Sequence, residues 1–165
     1  GAVTDEYIRA FIELWTADSP TFEGKYVNFS NIHFLTKPVQ RPQIPIWVGG
    51  ESNRAIRRAA RMGNAWHPLG TNPDFPLGTP ELLKRSMDRL AARTEREGRN
   101  PEDVEVAFRV YTFNPKSDGS EGIPFAGPAD KVAEDIRTYE ALGVTNLILD
   151  LAAWPVPRLT TPATS

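Results

Sequence analysis

The 165-residue sequence has no cysteine and only two histidines. The first absence removes disulfides, thiolate metal sites and a cysteine nucleophile, and it suits a reducing compartment. The two histidines, His33 and His67, form no HExxH motif, and no carboxylate cluster stands at metal-ligand spacing. No apolar run approaches the ~20 residues that cross a bilayer. The opening GAVTDEYIRAF also lacks the basic-then-apolar order of a secretory leader. Neither sign of charge is in excess, with 19 Lys and Arg against 21 Asp and Glu, so nothing recommends nucleic acid or an anionic membrane as a partner. A cytoplasmic location is the expectation these absences leave.

What is present, 40% hydrophobic and 24% charged residues, suits one ordinary globular domain. Thr4 is placed to cap a helix with Asp5 and Glu6 in its first turn and Tyr7, Ile8, Phe11, Ile12, Leu14 and Trp15 on one face. In TFEGKYVNFSNIHFLTKP, Tyr26 and Asn28 alternate with Val27 and Phe29, and Ser30-Asn31 is turn chemistry before Ile32 and Phe34. This reads as a β-hairpin, with His33 a strand residue in it. The prolines of KPVQRPQIP deny helix and direct the chain into a short apolar strand at 46–49.

From there strands and helices alternate. Ser52 caps a helix to Met62 with Gly63 closing it, and residues 65–67 form a very short strand. Thr79 and Pro80 open a helix that turns Leu82, Leu83, Met87, Leu90 and Ala91 inward and stops at Gly98. A third strand spans 104–113. A helix over 128–142 carries Val132, Ala133, Ile136, Tyr139 and Leu142 on one stripe, and a fourth strand spans 146–151. Such alternation implies a parallel sheet with right-handed crossovers. It fits a small open sheet, or a partial (β/α)8 barrel over 1–151 that lacks its first four strands and is followed by a Pro-rich tail at 152–165. A start on a helix and the lack of a helix pattern after the last strand favour the partial barrel. Gly1 at the start, with no Met, adds the expectation of a piece of something longer. A half-barrel leaves open edges and an uncovered inner face, so it calls for a partner, either an N-terminal half or a second copy.

Ligands of parallel α/β folds gather at the carboxyl ends of strands. Gly49, Gly50, Glu51 and Ser52 lie at such an end. Glycine lets backbone approach a ligand, and the free N–H groups and positive dipole end of the next helix suit a phosphate. The same residues also serve simply to leave a strand and begin a helix, and alone they do not separate the two readings.

The wider pattern is more specific. FEGKYVNF, then KPVQRPQIPIWVGGESNRAIRRAARMGNAWHP, EGRNPEDVEV and FAGPADKVAEDIRTYEALGVTNLILDL, in this order, resemble the C-terminal half of the bacterial-luciferase-like monooxygenases. The likeness is greatest to the branch using the deazaflavin coenzyme F-420. It implies a TIM-barrel flavoenzyme, an oxidoreductase that binds FMN or the deazaflavin and moves a hydride to or from an organic substrate. The four strands would be the fifth to eighth of that barrel, with the hairpin as the insertion before the fifth. Carried over from the family, Gly49, Gly50 and Ser52, with Asn53 adjoining, hold the cofactor phosphate. Members often read Gly-Asp-Gly-Trp where this chain has Gly63, Asn64, Ala65 and Trp66. Family residues that contact the reactive ring come largely from the first four strands, so no catalytic residue is assigned.

Trp66 and His67 end the second short strand and are candidates for the cofactor and substrate pocket. The alternative is a core tryptophan and a loop histidine. On the third strand Glu105, Ala107, Arg109, Tyr111 and Phe113 share one face, and the apolar alternates should meet the helices, so Arg109 points into the barrel. There it meets an anionic ligand group or, in a structural ion pair, a carboxylate from the absent half. Glu105 is not that carboxylate, being four strand residues, ~13 Å, away. Asp150 is either a pocket residue or a loop cap. Arg54, Arg57, Arg58 and Arg61 read as a solvated face, with Arg54 the one able to reach a phosphate. The loops 68–78 and 114–127 share the rim with the glycine pair and read as lids or disordered segments. Taken alone, the chain is expected to be inactive. The alternative function is a non-enzymatic half-barrel module that pairs through its open edges.

Overall fold

The structure, a computed structural model, describes residues 1–70, 72–110 and 112–150. The 152–165 tail, Leu151 and Tyr111 lie outside the described residues.

Helix α1, Ala2–Thr16, begins two residues before the expected Thr4 cap, with Gly1 at the N-cap position. Arg58 from the next helix explains the earlier start: its guanidinium bonds the Gly1 carbonyl and the Asp5 carboxylate, pinning the first turn. The buried residues of α1 are Glu6 and Ala10. Its apolar face is only partly covered by this chain: Tyr7 and Phe11 are 44% and 48% exposed, whereas Ile8, Ile12, Leu14 and Trp15 are half-buried. What α1 does hold is the hairpin β1 (Phe22–Glu23) and β2 (Asn28–Phe29), paired antiparallel. Glu6 Oε1 accepts the amides of Tyr26 (2.6 Å) and Val27 (2.8 Å) in the turn. Burial opposes the charge of Glu6, but the backbone amides of Tyr26 and Val27 outweigh it and hold the pKa below its ordinary 4.5. Gly24 is needed here because a Cβ would lie 2.2 Å from that same carboxylate oxygen. The turn is therefore 24–27, not Ser30-Asn31. Asn31 instead ends the second arm with a φ of 53°, and His33, expected in a strand, is exposed outside any strand.

The second sheet is parallel, in the order β3 (Trp47–Gly49), β4 (Ala65–His67), β5 (Glu105–Val110) and β6 (Asn146–Leu149). Helices α2 (Asn53–Met62), α3 (Pro80–Arg96) and α4 (Ala129–Ala141) connect or follow these strands. Register aligns Val48, Trp66 and Val106 on one face. They form a single core with Ile56, Leu83, Leu90, Phe108, Val110 and Tyr139. The inward face of α3 is Leu83, Ser86, Leu90 and Thr94; Leu82, Met87 and Ala91 are only half-buried. Two polar residues fit that face partly because Thr94 Oγ1 donates to the Leu90 carbonyl at 2.9 Å, satisfying itself within the helix. Strand β5 covers Glu105–Val110 of the expected 104–113; Thr112 and Phe113 lie outside any strand, and Asn114 forms a bridge with Ala126.

The α2 helix is closed at both ends by chemistry only partly visible in sequence. Ser52 Oγ accepts from Ala55 N at 3.2 Å, as a cap should. At the other end Gly63 has φ −83°, so it is not a left-handed cap; it is glycine because a Cβ would lie 3.0 Å from the Ala59 backbone. Arg99, 36 residues further on, donates to the carbonyls of Ala60 (2.8 Å) and Gly63 (2.9 Å), placing a cation on the negative helix end. Asn64 Oδ1 accepts the Ile46 amide at 2.9 Å. That job needs only an acceptor oxygen, which an amide supplies as well as the carboxylate common at this place in the family.

Candidate functional site

The carboxyl ends of the four strands carry the glycine turn, His67, Arg109 and Asp150. Gly49 closes β3 opposite His67, and a Cβ on it would find its nearest neighbour, the His67 carbonyl, at 3.8 Å, so the space before it is open. Gly50 has φ +101°, a conformation that side chains other than hydrogen rarely accept. The turn is fixed by Gly50 N donating to the His67 carbonyl (3.2 Å) and Trp66 Nε1 donating to the Gly50 carbonyl (2.8 Å).

Of the two readings open for Trp66, its place is in the core: it is fully buried between the sheet and the helices. It positions Gly50 from behind and does not line the rim.

Beyond the turn, the Ser52 hydroxyl oxygen accepts the Ala55 amide, leaving its own proton to give. The amides of Asn53 and Arg54 have no partner among the described residues, as first-turn amides do not. The Asn53 side chain is engaged with Arg89.

Glu51 was not singled out by sequence. It is buried, and its Oε1 accepts the amides of Leu69 (2.6 Å) and Gly70 (2.8 Å), tying the loop after β4 to the turn after β3. Its neighbours in sequence are a glycine and a cap serine, which read as solvent-exposed turn. The partners that bury it lie 18 and 19 residues away, so no local pattern points to them.

On the inner face His67 stands half-buried, its ring 5.9 Å from that of Trp47. Its Nδ1 lies 2.7 Å from the Ala107 carbonyl, which can only accept, so Nδ1 carries the proton and Nε2 remains for a ligand when the ring is neutral. Trp47, 46% exposed on the same face, was likewise not singled out, because a tryptophan in an apolar run reads as core. Arg109 points inward as expected and bonds Asp150 Oδ2 at 2.5 Å. The carboxylate that Arg109 meets is therefore supplied by this chain and not by the absent half. Glu105, near the opposite end, instead accepts from Asn146.

The two rim loops are fastened in their described parts. Leu77 and Phe125 are buried, Phe125 packing on Tyr139 at 4.8 Å, and the Phe125 amide donates to Asp135.

The profile of the luciferase-like monooxygenases matches residues 1–118. An FMNH(2)-dependent dimethylsulfone monooxygenase of Pseudomonas fluorescens (strain Pf0-1) is 36% identical over 110 residues, 67% of this chain and 27% of that protein. Its namesake from Pseudomonas putida is 30% identical over 95 residues, 58% and 24% of the two chains. Among solved structures, an F-420-dependent secondary alcohol dehydrogenase in complex with an F-420-acetone adduct superposes with a TM-score of 0.69 at 17% identity, over 88% of this chain and 54% of its own. The long-chain alkane monooxygenase LadA superposes at 0.68 and 16% identity, over 93% and 52%. The chain thus spans about a quarter of the curated relatives and about half of the solved structures. These likenesses establish a partial TIM barrel.

Proposed function

The chain belongs to the luciferase-like monooxygenase family, and from that premise we propose that it supplies the cofactor-phosphate side of a flavin- or deazaflavin-dependent active site completed by the other half of a barrel. The observation that carries this reading is the turn after β3: an open glycine, a second glycine at positive φ held by two hydrogen bonds, and two unpartnered amides at the start of α2. Gly49 and Gly50 let a phosphate come close, the Asn53 and Arg54 amides donate to it, and the Ser52 hydroxyl gives its proton while its oxygen keeps the helix cap. FMN or F-420 bound there would supply the redox chemistry on an organic substrate. Glu51 and Trp66 are positioning residues, holding the turn rigid so that little is lost in ordering it on binding. His67 offers a polar tip beside Trp47 on the face that the substrate side of a barrel would occupy.

The exposed inner face favours completion by a partner, either an N-terminal half or a second copy. Without one, the chain is expected to show no turnover.

Comparing FMN with riboflavin, which lacks the phosphate, tests the reading. FMN is expected to bind at least about tenfold tighter (~1.4 kcal/mol), and Gly50→Ala or Ser52→Ala should narrow the gap. Equal binding of the two flavins, or a gap that neither substitution touches, contradicts it. The same titration with F-420 decides between the cofactors, and a stable homodimer that takes up neither supports the non-enzymatic module.

A further inference from the structure

Five arginines, Arg54 and Arg57 from α2 and Arg89, Arg93 and Arg96 from α3, line one groove of about 400 Å3 floored partly by Ile56. Among the described residues Arg54, Arg57, Arg89 and Arg96 have no carboxylate within 4.0 Å. Arg93 has Glu97 at 3.5 Å, yet its buried Nε donates no hydrogen bond. Arg58, on the same helix but outside this groove, shows the contrast, since it is neutralised by Asp5. A solvated basic face spreads its charges around a helix. Here two helices turn theirs toward one another across a concave surface, where like charges repel and the walls reduce screening. The guanidinium fork matches oxyanions in two-point geometry, which makes arginine the residue suited to such a ligand.

We infer that the groove between α2 and α3 binds a small polyanion, a ligand carrying two or more negative charges on phosphoryl or carboxylate oxygens. A single charge would leave most of the groove unneutralised, whereas a di- or trianion reaches guanidinium groups on both walls. The groove lies on the helix side of the sheet and adjoins the glycine turn at Asn53 and Arg54, with Arg57, Arg89, Arg93 and Arg96 extending it away from the turn.

Calorimetric titration of pyrophosphate into the protein, at ionic strength matched with sodium chloride, tests this. Saturable binding of pyrophosphate is expected, weakened at least tenfold in the double variant Arg57→Gln, Arg96→Gln. Both side chains are exposed and make no ion pair among the described residues, so the variant should fold. Arg137→Gln on α4 should change affinity less than twofold. A parallel titration with citrate separates the ligand sources: comparable binding assigns the site to charge multiplicity, and pyrophosphate alone assigns it to phosphoryl oxygens. Non-saturable heats, or affinity undiminished in the double arginine variant, each overturn the proposal.

Discussion

Val48, Trp66 and Val106 sit side by side on the face of the sheet that the helices cover, each no more than 5% exposed, whereas Trp47, one residue from Val48, is 46% exposed on the other face. Alternation along a strand sends neighbours to opposite faces, so the two tryptophans separate what the chain completes by itself from what it leaves open. The outer face closes with the chain's own α2, α3 and α4. The inner face presents Trp47, His67, Arg109 and Ile148 to whatever completes the barrel, and α1 adds Tyr7 and Phe11 to the uncovered apolar surface.

The largest expected effect breaks the comparison if it fails. Trp66→Ala should cost about 3–5 kcal/mol, through the lost volume and the lost bond to Gly50. Trp47→Ala should cost under ~0.5 kcal/mol in the chain alone, as a surface change does. Urea unfolding of the two variants measures the difference, and equal losses would mean that the inner face is not open. Next in size, Glu51→Ala removes the acceptor of two part-buried amides, at about 1 kcal/mol each, while Glu51→Gln keeps an acceptor oxygen and should recover most of the loss. Thermal unfolding with and without FMN separates loss of fold from loss of the turn. Ser52→Ala should cost ~1 kcal/mol as a lost cap, with a larger proportional effect on FMN than on riboflavin affinity.

The smallest effect is local and concerns α1. Glu6 has its pKa lowered in the folded state, so its contribution is present above its ordinary 4.5 and is lost as pH falls through the lower folded value. Hydrogen exchange at Tyr26 and Val27 should therefore quicken, relative to the intrinsic rate, as pH drops below about 4.5. Glu6→Gln should remove that dependence.

The strand and helix order, the Ser52 and Thr79 caps and the inward direction of Arg109 were legible in sequence, because each rests on spacing within a few residues. The glycine turn was legible as a place. What fixes it was not: Glu51 meets Leu69 and Gly70, and Trp66 meets Gly50, only after the chain has gone out through α2 and back. The α1 helix misled for a related reason. Its apolar stripe reads as a core face, yet the buried residues are Ala10 and Glu6, the latter paired with amides 20 and 21 residues on, while Tyr7 and Phe11 of the stripe are exposed. An apolar pattern reports that a face is to be buried, not which chain buries it.

The most direct test of the phosphate reading is residue-by-residue: backbone amide shifts of the isotope-labelled protein on adding FMN. The account predicts the largest changes at Gly50, Ser52, Asn53 and Arg54, with riboflavin leaving those four nearly unmoved. Changes confined to other residues, or equal changes with both flavins, would contradict it.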